Sequence, residues 1–417
     1  MRFYSFVVAL LTLPLFADAK PPAKRYIVTL KDGASTERLL DTVSERRTSV
    51  QNVQVWNDAL NGFAADLSED EVFTLRQSGD VIDIEEDGIV HALASVTQHN
   101  ATWGTARLSS RTPLLSRDPT ALNFRYTYDS SGGAGVDIYV LGPGVRLTHV
   151  EFEGRARSGA VFGGYAPTDG QGHGTHCAGT AAGRNVGVAK KANIVSVRVL
   201  SDSGSGSVSN VVSGINWIYT AATTSGRPAV VLIALGGGAS SAVDNAVTAL
   251  TNAGIHVVAA AGGSNTGTEN TSPARVPSVI TVGATAITDA RSSFSNYGPG
   301  IDIFAPGQSV YSAWHTSDTA YQTLSGTSMA AAHVAGAIAY LIGLEGNVSP
   351  AAMEAKLKAR ANQGVLTGIP AVQDESRCSS SKLTFVFRAW LLLDSGIIET
   401  WSIQECVVFS IQVKRHC

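Results

Sequence analysis

Two short motifs, far apart in the chain, carry side chains that could perform nucleophilic catalysis. One is GQGHGTHCAGT, with His173 and His176 where a helix is predicted to begin; the other is LSGTSMAAAHVAGA, with Ser328 at the start of a long apolar helix. A serine hydroxyl is a weak nucleophile until a neighbouring base takes its proton. A helix N-terminus adds free N–H groups and a positive field, which stabilise an anionic intermediate. The pattern favours an acyl-transfer site.

Each motif alone has a simpler explanation. Two histidines three residues apart on a helix could bind a metal or be structural, and a serine before a helix is usually an N-cap. The sequence contains no HExxH, CxxC or GxSxG motif, so a zinc protease and an α/β-hydrolase both lack support. Catalysis is favoured only when the two motifs are taken together.

A third segment, GVDIYVLGPGVRLTHVEFEGRA, begins as a buried strand and then breaks at Gly142, Pro143 and Gly144. In open α/β sheets, catalytic groups and ligands lie at the carboxyl ends of strands. This strand end therefore offers a position for a catalytic group, but the residue there has no functional side chain.

The elements that would position these motifs change character along the chain. Residues 25–93 predict a small α+β unit with the strand–helix–strand–strand–helix–strand order of ferredoxin-like folds, in which Ser68 and Glu71 form a capping box. From about residue 135, helices alternate with nearly continuous apolar strands: VDIYVL, ANIVSVRVL, AVVLIAL and IHVVAAA. That pattern predicts an α/β domain with a doubly wound, mostly parallel sheet and helices on both faces.

Composition narrows the class of protein. The net charge is −3 without a basic stripe, which argues against nucleic-acid binding.

Residues 1–19 have the features of a secretory signal peptide and are too short for a membrane anchor, so we expect a secreted protein that does not bind membranes. Sequons at Asn100, Asn270 and Asn347 fit a glycoprotein. The four cysteines are too few for a disulfide scaffold, and Cys177 is interpreted as a small buried residue.

In chain order, GHGTHCAGT, LGGG, TVGATA, SSFSNYGPGIDIFAPG and SGTSMA closely resemble the subtilase family of serine proteases, in its proteinase K-like branch. The resemblance extends from about residue 25 to residue 371. It implies a subtilisin-like peptidase domain over residues 95–371. It also implies that residues 20–94 are an inhibitory and chaperoning propeptide that acts on the domain in cis.

The same resemblance assigns roles to individual residues. It implies that His173 is the general base, that Ser328 is the nucleophile and that His176 is structural. It implies that two backbone edges hold an extended polypeptide as an added strand, which predicts broad side-chain specificity. The residues of these edges are Gly204, Ser205, Gly206, Ala234, Leu235, Gly236 and Gly237.

No cofactor is expected for catalysis. Asp302 and the carbonyl groups of Pro277 and Val279 match a structural calcium site of the proteinase K branch, although a lone aspartate is weak support for a metal. We expect a monomer.

The sequence departs from the family at two catalytic positions. The family's triad aspartate ends the first strand in a pattern like Ile-Asp-Thr-Gly, and this chain has Gly142 there. Asp137 lies five residues back on the strand, and Asp169 lies in a loop that does not orient the base in the family. The family's oxyanion asparagine is replaced by Gly263, and a register slip to Asn265 is not supported by the spacing that follows.

These losses predict a secreted zymogen that is severely impaired or inactive and keeps its propeptide. In subtilisin, a member of the family, loss of the aspartate lowers turnover by roughly 3 × 10⁴ and loss of the asparagine by roughly 10² to 10³. Two alternatives stay open: an active secreted serine endopeptidase of broad specificity, and a relic that does not fold stably.

The C-terminal tail, residues 372–417, lacks the family's closing strand. We interpret it as a translated intron or a frameshift in the gene model. A genuine extension, in which Cys378, Cys406 and Cys417 form disulfides, is the alternative.

Overall fold

The computed structural model describes residues 23–44, 50–88, 95–370 and 385–386. The described residues form two compact units, one before and one after the division between residues 90 and 91. The predicted signal peptide and all of the predicted tail except Phe385–Val386 lie outside the described residues.

The first unit has the predicted ferredoxin-like order. Its described strands form an antiparallel sheet in the order β2-β3-β1-β4, and both helices pack on one face of it. The elements are β1 Lys24–Leu30, α1 Thr36–Ser44, β2 Gln51–Trp56, β3 Gly62–Leu67, α2 Glu69–Arg76 and β4 Val81–Glu86. The predicted capping box is confirmed, since the Ser68 N–H donates to Glu71 Oε2 at 2.6 Å and the Glu71 N–H donates to Ser68 Oγ at 3.4 Å.

The second unit is the predicted α/β domain. Its first half comprises β5 Ser95–Ala101, α3 Trp103–Leu108, β6 Phe124–Asp129, β7 Asp137–Gly142, a 3-10 turn Val150–Phe152, β8 Ala156–Val161, α4 His173–Ala182, β9 Asn193–Arg198, α5 Val208–Ser225 and β10 Ala229–Ile233. Its second half comprises β11 Gly237–Gly238, α6 Ser241–Asn252, β12 His256–Ala260, β13 Thr271–Ser272, β14 Ile280–Thr285, β15 Ile303–Pro306, β16 Val310–Ala313, β17 Tyr321–Leu324, α7 Thr327–Glu345, α8 Pro350–Arg360, β18 Asn362–Gln363 and β19 Phe385–Val386.

The central sheet has the described strand order β18-β19-β15-β14-β12-β10-β7-β9-β8, and all its pairs are parallel except β18 with β19. The strand that follows β7 and β8 in the chain, β9, lies on one side of β7, and β10 lies on the other. The order therefore reverses beside β7, and the crevice at such a switch point is where ligands bind in open α/β sheets. Gly142, the last residue of β7, lies at this crevice.

Successive side chains of the buried strands point to opposite faces of the sheet and pack into two separate cores, one on each face. Ile138 and Val140 pack with α4 and α7, while Tyr139 and Leu141 pack with α5 and α6. The long apolar helix α7 passes the length and hydropathy test for a membrane span, but 83% of that window is buried inside the domain. Its composition therefore reflects its place in the core.

Candidate active site

Gly142 ends β7 beside the N-terminus of α4. Its carbonyl accepts the N–H groups of Val199 at 2.9 Å and Leu200 at 3.2 Å, so the strand end is fixed to the loop after β9. Further along, the Arg146 N–H donates to Thr175 Oγ1 at 2.9 Å, which ties the chain after Gly142 to α4. A Cβ atom built on Gly142 would meet nothing within 4 Å. The position predicted to correspond to the family's carboxylate therefore faces open space, next to the helix that carries the predicted base.

His173 is the first residue of α4, and its backbone N–H donates to Gln171 Oε1 at 2.8 Å. Desolvation lowers the pKa of His173, and the charge of Asp169 partly opposes that shift. The Sγ atom of Cys177 lies 3.9 Å from Nδ1 and 4.0 Å from Nε2. The thiol is fully buried, and burial raises its pKa, so it stays protonated and cannot replace a carboxylate.

The carboxylate of Asp169 caps the N-terminus of α4. Its Oδ1 accepts the N–H groups of Gln171 at 3.0 Å and Gly172 at 2.8 Å, and its Oδ2 accepts the N–H and hydroxyl groups of Thr175 at 3.0 and 2.5 Å. Among the described hydrogen bonds, none joins this carboxylate to the ring of His173. Asp169 therefore acts on the base only through its charge.

Asp137 lies at the other end of β7, and its carboxylate is occupied by hydrogen bonds to other side chains. Its carboxylate accepts Arg157 Nη2 at 2.8 Å, Arg227 Nε at 3.2 Å and Asn193 Nδ2 at 3.0 Å. Burial opposes ionisation, but these donors outweigh it and lower the pKa of Asp137. Neither aspartate considered from the sequence is placed to orient His173.

Ser328 is the second residue of α7 and faces the edge that follows β10. Its hydroxyl donates to the Ala234 carbonyl at 3.1 Å, and no described hydrogen bond joins it to His173. The preceding Thr327 accepts the Gly262 N–H at its Oγ1, 3.1 Å away. The start of α7 is thus tied to the turn that contains Gly263.

The turn at residues 261–266 is built around one buried amide. Asn296 Nδ2 donates to the Ala261 carbonyl at 2.9 Å, and Asn296 Oδ1 accepts the N–H groups of Ser264 and Thr266 at 3.0 and 3.2 Å. Its polar atoms are therefore occupied within the turn. A Cβ atom on Gly263 would meet nothing within 4 Å, so the turn leaves room for a side chain there.

Asn265 is held outside the cleft lining. Its backbone is left-handed, with φ 54°, and its Oδ1 accepts Arg291 Nη2 at 2.9 Å. Asn265 is therefore not placed to act as a donor at the predicted oxyanion position.

The predicted nucleophile and one predicted substrate edge share a cleft of about 710 Å³. Of the predicted binding residues, the cleft includes Ala234, Leu235, Gly236 and Gly237. The other predicted edge lies in the turn after β9 and is not part of this lining. There the Ser205 carbonyl accepts the Ser201 N–H at 2.8 Å, and Gly204 has φ +78°.

Sequence reasoning did not assign a binding role to several residues that line the cleft. They are Gly238, Ala260, Gly262, Ser264, Asn270, Thr271, Phe294, Asn296, Ser325, Gly326 and Thr327. Phe294 and Asn296 belong to the SSFSNYG stretch, which was the available signal, but a linear motif does not tell which of its residues face a ligand.

His176 is buried and its Nε2 lies 3.0 Å from the Val310 carbonyl and 3.2 Å from that of Gln322. Desolvation lowers its pKa to about 3, so it stays neutral at ordinary pH. The contacts fit the structural role that the resemblance implied.

The residues proposed for calcium do not fit that ion as they are arranged. Asp302 Oδ1 accepts Lys358 Nζ at 2.8 Å, and its Oδ2 accepts the Thr281 N–H at 2.9 Å. Pro277 and Val279 lie in the turn that leads into β14, close in sequence to Thr281. Within the described residues, no group of three or more His, Cys, Asp or Glu side chains could hold a metal.

Comparisons with known proteins agree with this geometry. Residues 133–376 match the subtilase family, Peptidase S8, and residues 25–93 match the peptidase inhibitor I9 family. The chain is 45% identical over 357 residues to the alkaline serine protease ver112 of Corniculantispora psalliotae, covering 84% of this chain and 88% of that protein. It is 43% identical over 350 residues to a cuticle-degrading protease of Metarhizium anisopliae, covering 84% and 87%.

A solved structure, that of a cold adapted subtilisin-like serine proteinase, is 41% identical to the chain and has a TM-score of 0.59. The match covers 70% of this chain and 99% of that one. Sequence and fold therefore point to the same family.

Proposed function

Because the chain belongs to the subtilase family of serine proteases, we propose that it is a secreted, propeptide-bearing member whose peptide-bond hydrolysis is severely impaired. The observation that carries this proposal is the pair of glycines, Gly142 and Gly263, at the two positions where the family has its triad aspartate and its oxyanion asparagine. The cleft that Gly263 and Ser328 line is kept.

The first glycine removes the group that prepares the base. A triad carboxylate selects the histidine tautomer and stabilises the imidazolium formed when the serine is deprotonated. Here His173 has Cys177 Sγ, a weak partner at 3.9 Å, and a lowered pKa that disfavours imidazolium. The proton of Ser328 is directed at the Ala234 carbonyl. Serine activation is therefore expected to be slow.

The second glycine removes a donor for the charge that develops on the substrate oxygen. Preorganised donors at that point are among the largest contributions to catalysis by acyl-transfer enzymes. The amide of Asn296, which lines the cleft beside Gly263, is occupied by the Ala261 carbonyl and two backbone N–H groups. Even an activated Ser328 would therefore meet a poorly stabilised intermediate.

Binding depends on different atoms from those that catalysis has lost. An extended peptide is held mainly by main-chain hydrogen bonds to a backbone edge, and the edge Ala234–Gly237 remains in the cleft. We infer that the protein retains affinity for extended polypeptide, and that its own I9 domain, left uncleaved in cis, is the first such ligand.

The intact mass of the secreted protein, beside that of Ser328→Ala, tests the proposal. We expect both proteins to retain the segment that would otherwise be removed, residues 20–94. If the wild type loses this segment and Ser328→Ala does not, the protein is an active serine endopeptidase and the proposal is wrong. Casein hydrolysis that disappears in Ser328→Ala would contradict it in the same way.

A further inference from the structure

Lys358, on α8, reaches across to the sheet and contacts a poorly exposed carboxylate. Its Nζ lies 2.8 Å from Asp302 Oδ1, and the side chain of Asp302 is 15% exposed. Lys358 also pairs with Glu354, one turn earlier on the same helix. The ammonium group is therefore shared by two carboxylates.

Asp302 joins the two strands next to it. It immediately precedes β15, its N–H donates to the Thr281 carbonyl at 3.0 Å, and its Oδ2 accepts the Thr281 N–H at 2.9 Å. Thr281 belongs to β14, the parallel neighbour of β15. A negative charge so placed requires a positive partner, because desolvating an unpaired carboxylate is costly.

The lysine is well suited to be that partner. Its Nζ atom lies within hydrogen-bond distance of both Asp302 and Glu354. A lysine ammonium has three N–H donors, so it can donate to both carboxylates at once.

A calcium ion on the same carboxylate would compete with this ammonium. Calcium binds oxygen ligands at about 2.3–2.6 Å and needs at least six of them. Since Nζ is 2.8 Å from Oδ1, an ion bound to Oδ1 would lie no more than about 5.4 Å from the ammonium. Two cations that close repel each other, so occupation by calcium requires Lys358 to leave.

We propose that the ammonium group of Lys358 takes the place of a metal ion at Asp302. The strand pair β14–β15 is then held together without calcium. The peptidase unit then needs no calcium at this position for stability. Removing the ammonium, while the carboxylate stays, converts the position into one that calcium can stabilise.

Thermal unfolding of the full-length protein, with 10 mM calcium chloride or with excess EGTA, tests the proposal. We expect the Tm of the wild type to be the same in both. We expect Lys358→Met to have a lower Tm in EGTA and to recover part of the loss in calcium. The double variant Lys358→Met/Asp302→Asn should show no such recovery, because the ligand for the ion is gone.

Lys356→Met is the matched control, since Lys356 lies on the same helix and pairs with Glu345 at 3.0 Å, away from Asp302. It should not create a response to calcium. The proposal is overturned if the wild type binds calcium saturably in calorimetry and Asp302→Asn abolishes that binding. It is equally overturned if Lys358→Met responds to calcium no more than Lys356→Met does.

Discussion

Restoring two side chains should restore catalysis if the glycines are what silences the site. At both Gly142 and Gly263 an added Cβ meets nothing within 4 Å, and neither backbone lies in the left-handed region. The substitutions Gly142→Asp and Gly263→Asn can therefore be made without a steric clash at the first side-chain atom. Both new side chains would project into space that the fold leaves open.

The expected gain follows from what each group contributes in subtilisin. The triad aspartate accounts for roughly 3 × 10⁴ in turnover, equivalent to about 6 kcal/mol of barrier, and the asparagine for roughly 10² to 10³. Gly142→Asp should recover less than the full factor because Pro143 has no backbone N–H to offer the carboxylate. We expect kcat/KM to rise by ~10³ to 10⁴, with a further ~10² when Gly263→Asn is added.

Hydrolysis of a chromogenic peptide anilide measures this gain, and intact mass reports whether the protein now removes its own propeptide. Gly142→Asn is the matched control, because an amide fills the same space without the charge that stabilises imidazolium. Ser328→Ala in the restored background shows that the activity belongs to this site.

The reasoning would be refuted if the doubly restored protein folds, keeps its Tm within a few degrees and still does not cleave the anilide faster than the wild type. It would also be refuted if Gly142→Asn restores activity as well as Gly142→Asp does, because packing and not charge would then be the missing element.

Two further predictions concern the open space beside Gly142 and the buried histidines His176 and His333. Formate should raise the residual amidase activity of the wild type several-fold by entering the space beside Gly142. It should have no such effect on Gly142→Asp, and an equal response in the two proteins would show that formate does not act at that space. His176 and His333 are buried with pKa values lowered by desolvation to about 3 and about 4, so the unfolded chain takes up protons first as the pH falls below ~6.5. Urea unfolding should therefore show stability that is fully present above that pH. These two histidines should make it fall by roughly 3 kcal/mol per pH unit near pH 5, with a shallower slope in His333→Gln; a flat profile from pH 6.5 to 5 would contradict this.

Much of the domain could be predicted because its signals are local. Continuous apolar runs marked β7, β9, β10 and β12, and small apolar residues marked α7. The strand β2, Gln51–Trp56, was not located. Its alternating valines, Val53 and Val55, are too few to mark a strand, and both are exposed. Strand formation there depends on pairing with β3, which the sequence does not display.

The parts of the site that escaped sequence reasoning depend on contacts between distant segments. Lys358, on α8, meets Asp302 just before the start of β15, a contact that the sequence does not display. The resemblance at Asp302, Pro277 and Val279 therefore suggested a calcium site. In the same way, Asn296 looked like a plain member of SSFSNYG, while its buried amide determines the shape of the turn beside Gly263.

The fold and the chemistry of this domain are separable for a physical reason. Ile138 and Val140 are buried in the core, whereas the Cβ directions at Gly142 and Gly263 point to open space. Core side chains support the native state, so their loss costs stability. Catalytic side chains project into a cleft and add desolvation costs to the folded state, so their loss can leave stability unchanged or improved. A chain with glycine at the two predicted catalytic positions can therefore keep the sheet, the helices and the peptide-binding edge.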